Sequence, residues 1–77
     1  MRDDRVLCYS VKVEIPSETG RPESVYYMVR TSSEAAAIDA VKGAIPSEWR
    51  VVAVNPAAVR TETVEYLDLR PGVPRQI

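Results

Sequence analysis

Residues 5–15, RVLCYSVKVEI, set Leu7, Tyr9, Val11, Val13 and Ile15 against Cys8, Ser10, Lys12 and Glu14. A period of two with β-branched enrichment predicts a strand buried on its odd-numbered face. The even face is polar only from Ser10 onward, because Val6 and Cys8 interrupt it. Two prolines and a glycine in residues 16–23, PSETGRPE, predict a loop. Residues 24–30, SVYYMVR, predict a second strand, with Val25, Tyr27 and Val29 on one face and Tyr26, Met28 and Arg30 on the other. Thr31-Ser32-Ser33-Glu34 reads as a capping box with Thr31 as the cap. The run EAAAIDAVKGA then favours helix, with Ala37, Ile38, Val41, Ala44 and Ile45 as its apolar stripe. Gly43 and Pro46 end it.

Residues 49–54, WRVVAV, predict a third strand, and Asn55-Pro56 a stop. Residues 56–60 fit a turn or a single helical turn. Alternation returns in TETVEYLDL, residues 61–69, predicting a fourth strand. The ending RPGVPRQI, residues 70–77, predicts an extended or disordered tail. The whole predicts one α+β domain over residues 1–69. It is a two-layer ββαββ arrangement with a mainly antiparallel sheet in the order 2-1-3-4 and one helix on one face.

One short helix cannot cover both faces of such a sheet, and the second face is not cleanly polar. Val6, Cys8, Tyr26, Met28, Val52 and Val54 form a candidate interface, with Trp49 and Arg50 beside them as anchor residues. A second copy or another protein is the first expectation for what covers it. The chain's own tail, or the rings of Trp49 and Tyr66, is the second. The second strand, with few charges before Arg30, is the better edge for pairing with another chain.

Composition sharpens this expectation. A 77-residue chain buries only about 60% of its unfolded surface, so small domains lean on disulfides, metals or association. One cysteine and no histidine exclude an intrachain disulfide, a Cys/His zinc set and histidine-based catalysis within one chain. Cys8 reads as a packed strand residue. The acids Asp3-Asp4, Glu34 and Asp39 do not have metal-binding spacing, and no glycine-rich phosphate loop occurs. No catalytic residue, cofactor, metal or small-molecule substrate is therefore expected, and the protein is not read as an enzyme. Lys12, Tyr26, Arg30 and Arg50 could hold single-stranded nucleic acid on one sheet face. A net charge of −1 ranks that reading behind a protein partner. The start, Met1-Arg2-Asp3-Asp4-Arg5, lacks an apolar run, so no signal peptide, no membrane and a cytoplasmic setting are expected.

From Val25 to Val54 the chain reads VYYMVRTSSEAAAIDAVKGAIPSEWRVVAV: a strand, a capped alanine-rich helix and a valine-rich strand. This outline resembles the very small β-β-α-β proteins of bacteriophages and mobile elements, among them certain anti-CRISPR proteins. Eight of the ten basic residues are Arg, which fits a GC-rich bacterial or phage genome. The resemblance implies a non-enzymatic protein that docks on a host or phage protein inside a bacterial cell.

Overall fold

A computed structural model describes residues 4–77. Met1, Arg2 and Asp3 lie outside the described residues, and with them the first half of the N-terminal charge run and of the Asp3-Asp4 pair. The order is β1 (Arg5–Ile15), β2 (Glu23–Arg30), α1 (Glu34–Ala44), β3 (Arg50–Arg60), α2 (Thr61–Tyr66) and β4 (Arg75–Gln76). The four strands form one antiparallel sheet in the order β3-β1-β2-β4. The class is α+β, as the sequence predicts, but with two helices and a different sheet order.

β1 and β2 form the expected hairpin, with Tyr9 opposite Val29 and Val13 opposite Val25. The connecting loop turns through a bond from the Gly20 N–H to the Ser17 carbonyl, with Gly20 at φ 83°. That left-handed conformation suits glycine because it has no Cβ to clash. β3 lies on the other side of β1, so β2 and β3 run in the same direction and α1 crosses between them. Ser33, not Thr31, caps α1: its hydroxyl accepts from the Ala36 N–H at 3.3 Å. The extended backbone at Ser33 is what a cap requires, and it places the oxygen over the first free N–H groups.

Two expectations fail for identifiable reasons. Asn55-Pro56 does not stop the third strand, which runs on to Arg60 with Pro56 opposite Tyr9. β3 is an edge strand, where a proline faces solvent without removing a ladder bond. Residues 61–69 are not a strand either, because Thr61–Tyr66 is helical. Val64 and Leu67 are three apart, which suits a helical turn as well as the short alternation suited a strand. With no strand there, the position beside β3 stays open. The fourth strand comes from the tail, where Arg75 pairs with Met28 and Gln76 with Tyr27. The Gly72 N–H donates to the Arg30 carbonyl and the Ile77 N–H to the Tyr26 carbonyl, so the tail runs along the outer edge of β2.

Two cores lie on opposite faces of the sheet. α1 packs Ala37 and Val41 against Val11, Val13, Tyr27 and Val29, with Tyr9, Val25, Trp49, Val51 and Val54 around them. On the other face Val64 and Leu69 pack on Cys8, flanked by Val6, Met28, Val59 and Leu67. α2 is held at both ends. Both the Thr61 N–H and its hydroxyl donate to the Asp4 carbonyl at 2.8 Å. At its C-terminus the Leu69 N–H reaches the Val64 carbonyl and the Asp68 N–H the Glu65 carbonyl, with Asp68 at φ 52°. This is a Schellman closure, and its usual apolar contact is the buried Val64–Leu69 pair.

Candidate functional site

α2 covers only one end of the second face. Beyond it the sheet is bare, and the register defines its surface. Ile77 lies next to Tyr26, which pairs with Lys12, which pairs with Ala53. The neighbouring row is Arg75, Met28, Ser10 and Asn55. Glu14 and Arg50 pair further along. A bulge falls between Lys12 and Val13, opposite Val52. Val51 and Val54 both pack on the α1 core, so the two residues between them face the bare side. The bulge thereby adds an apolar side chain to this surface and bends the edge strand.

The sequence-predicted interface is split by the fold. Val6, Cys8 and Met28 pack with α2 and Leu69. Trp49 and Val54 pack on the opposite face, around the α1 core. Val54 differs from expectation because the bulge shifts the alternation of β3 by one residue. Tyr26, Arg50 and Val52 remain on the bare half-face, all exposed, with Tyr26 at 44% and Val52 at 42%. All four residues named for nucleic acid, Lys12, Tyr26, Arg30 and Arg50, lie on this side of the sheet. Sequence reasoning missed Arg75 and Ile77, the latter 57% exposed, because the tail carries no strand pattern and is positioned only by bonds to β2. The outer edge of β2, expected to be free, is partly taken by that tail.

Charge is segregated. The half-face holds three of the ten cations, Lys12, Arg50 and Arg75, but one of the eleven acids, Glu14, while Arg30, opposite Cys8, lies at the end that α2 covers. None of these cations takes part in a salt bridge among the described residues, where Arg70–Asp68 at 3.5 Å is an exposed pair elsewhere. A net charge near zero thus conceals a basic surface. Desolvation raises the pKa of the Cys8 thiol above its ordinary value, and the nearby Arg30 guanidinium offsets part of that rise. A buried thiol held in its neutral form is a poor nucleophile. Among the described residues there is no cluster of three His, Cys, Asp or Glu side chains able to hold a metal, and no helix is long and apolar enough to cross a membrane. Compared with protein-family models, curated proteins and solved structures, the chain matches none.

Proposed function

We propose that this protein is a non-catalytic interaction module that docks on protein through the bare half of its second sheet face. The observation that carries this reading is the exposure of Tyr26, Val52 and Ile77 beside Lys12, Arg50 and Arg75, three cations that form no salt bridge among the described residues. Tyr, Met and Arg are the side chains enriched at protein interfaces, and Tyr and Arg dominate their energetic hot spots. The excess of cations over the single acid Glu14 calls for an acidic surface opposite them, since complementary charge speeds encounter and suppresses wrong partners. A host or phage protein in a bacterial cytoplasm is the setting that the resemblance suggests.

The test is a photo-crosslinking residue at position 26, compared with one at the exposed Glu34 on α1. Covalent capture of an identified protein, or of a second copy, is expected at 26 and not at 34. The captured protein, once purified, should bind the native chain, with Tyr26→Ala weakening it about tenfold or more. Absence of protein adducts at position 26 overturns the reading.

A second reading, single-stranded nucleic acid, is favoured by the shared face of Lys12, Tyr26, Arg30 and Arg50. An aromatic ring flanked by cations on a sheet can stack a base and hold its phosphates. It predicts oligonucleotide binding that weakens with salt and on Arg50→Ala. No binding at low salt rejects it.

A further inference from the structure

The two halves of the second face differ in the same two respects, relief and charge. At one end α2 stands proud of the sheet; at the other the sheet is bare. Opposite Val64, which is buried against the sheet, α2 presents Glu62 and Tyr66 one turn apart. Tyr66 is 79% exposed, the most exposed large apolar side chain among the described residues. Glu62 and Glu65 have no salt bridge there, and an open groove lined by Glu62, Thr63, Tyr66 and Leu67 runs along the helix. The helix is acidic and convex, whereas the bare sheet is basic and open.

From this we infer that the occupant of the bare half-face is α2 of a second copy, in a closed two-fold dimer. The inference rests on the protein-docking reading above and names its partner. Two second faces meet across a two-fold axis that lies between the sheets and crosses the strands near the Ser10–Met28 row. α2 lies over β1 and β3, and the two-fold sets it over the same two strands of the other protomer's bare sheet, so Glu62 and Glu65 meet Lys12 and Arg50. Tyr66 meets Val52 on β3, with Tyr26 beside β1 at the margin of the contact. Both contacts are the same contact, as a two-fold interface requires. Direct superposition of one basic half-face on another would instead set like charges together, and the two-fold avoids it.

The dimer covers three of the six exposed large apolar side chains among the described residues: Tyr26, Val52 and Tyr66. Strands of eleven, eleven and eight residues at about 3.3 Å per residue and about 4.8 Å spacing give a footprint of about 500 Å² per protomer. The pair buries about 1,000 Å², the lower bound for a specific interface, so a dimer in concentration-dependent exchange with monomer is expected.

The test is sedimentation equilibrium on the native chain and two charge-reversed variants. One carries Glu62→Lys and Glu65→Lys, the other Lys12→Glu and Arg50→Glu. The native chain should approach twice the 8.6 kDa protomer mass as concentration rises, and revert with salt. Each variant alone should remain at protomer mass, with circular dichroism confirming that it is folded. Mixed one to one, the two should re-form the dimer, because every reversed helix then faces a reversed sheet. A native chain that stays monomeric overturns the inference, as does a native dimer that both reversals leave intact or a mixture no larger than its parts. If a folded variant cannot be obtained, single substitutions Glu62→Lys and Lys12→Glu replace the pairs, with the same mixing criterion. A monomeric chain whose position 26 still captures another protein removes only the second copy and leaves the docking reading in place.

Discussion

Cys8 reports directly on whether α2 covers the second face. It is fully buried beneath Val64 and Leu69, and it is the only thiol in the chain. The perturbation of choice is Leu69→Ala. Leu69 is 3% exposed and also closes α2, through its N–H to the Val64 carbonyl. The substitution keeps that backbone bond and removes the side chain, so it tests packing alone. Buried Leu→Ala changes cost about 2.7–5 kcal/mol, and a partly collapsible site near a chain end falls at the lower figure, about 3 kcal/mol. A domain of this length has about 4–12 kcal/mol in total, so the variant stays largely folded unless the native value lies at the bottom of that range. Every 1.4 kcal/mol is a factor of ten, so the open population around Cys8 rises about 150-fold. The assay is the rate of modification by a chromogenic disulfide reagent at fixed pH, alongside urea unfolding of the same samples. Native Cys8 should react far more slowly than in urea, and Leu69→Ala should accelerate it by about two orders of magnitude. A native thiol that reacts at the unfolded rate would mean that the face is open and α2 does not dock. An unchanged rate in the variant would refute the link between Leu69 and the cover.

Three further outcomes follow from the same structure. The folded Cys8 thiol has a raised pKa, so it keeps its proton where the unfolded thiol has lost its own. Its contribution is therefore complete below the unfolded thiol's pKa and declines as pH rises toward the folded value; urea midpoints should fall across the alkaline range, and Cys8→Ala should flatten that fall. Ser33→Ala should cost about 1 kcal/mol in urea unfolding, because it removes the observed cap, whereas Thr31→Ala should cost less; the reverse order would restore the capping box at Thr31. Asp68→Gly should raise stability by about 0.5–1 kcal/mol, since glycine adopts φ 52° without the Cβ cost and the Asp68–Arg70 pair it removes is exposed and weak; a loss of that size would contradict the left-handed cap.

The hairpin, the position of α1 and the pairing of β1 with both β2 and β3 were legible because their signals are long. Eleven residues of alternation, and eleven of helix-favouring sequence, offer few competing periods. TETVEYLDL was misread because nine residues with apolar side chains at 64, 66, 67 and 69 fit two periods at once. The pairing of the extended tail was not legible because RPGVPRQI carries no side-chain pattern, and its strand rests on backbone bonds to β2. For the candidate site, Tyr26, Lys12, Arg30 and Arg50 were legible from strand parity alone. Val54 was not, because a bulge changes parity and leaves no mark in the sequence.

What the sequence determined by itself was a shortage and a suspicion. A chain with one cysteine, no histidine and apolar side chains on both faces of its sheet must find cover beyond a single helix. Only the tertiary structure decided how that cover is supplied. Half comes from α2, whose helical form depends on meeting Val6, Cys8 and Met28, residues 36 to 58 positions before Val64 in the chain. The other half remains bare, with its charges gathered by register into a basic surface. Long-range contacts settled what local propensity left degenerate: burial against a distant strand outweighed the few tenths of a kcal/mol by which ordinary residues differ in local preference.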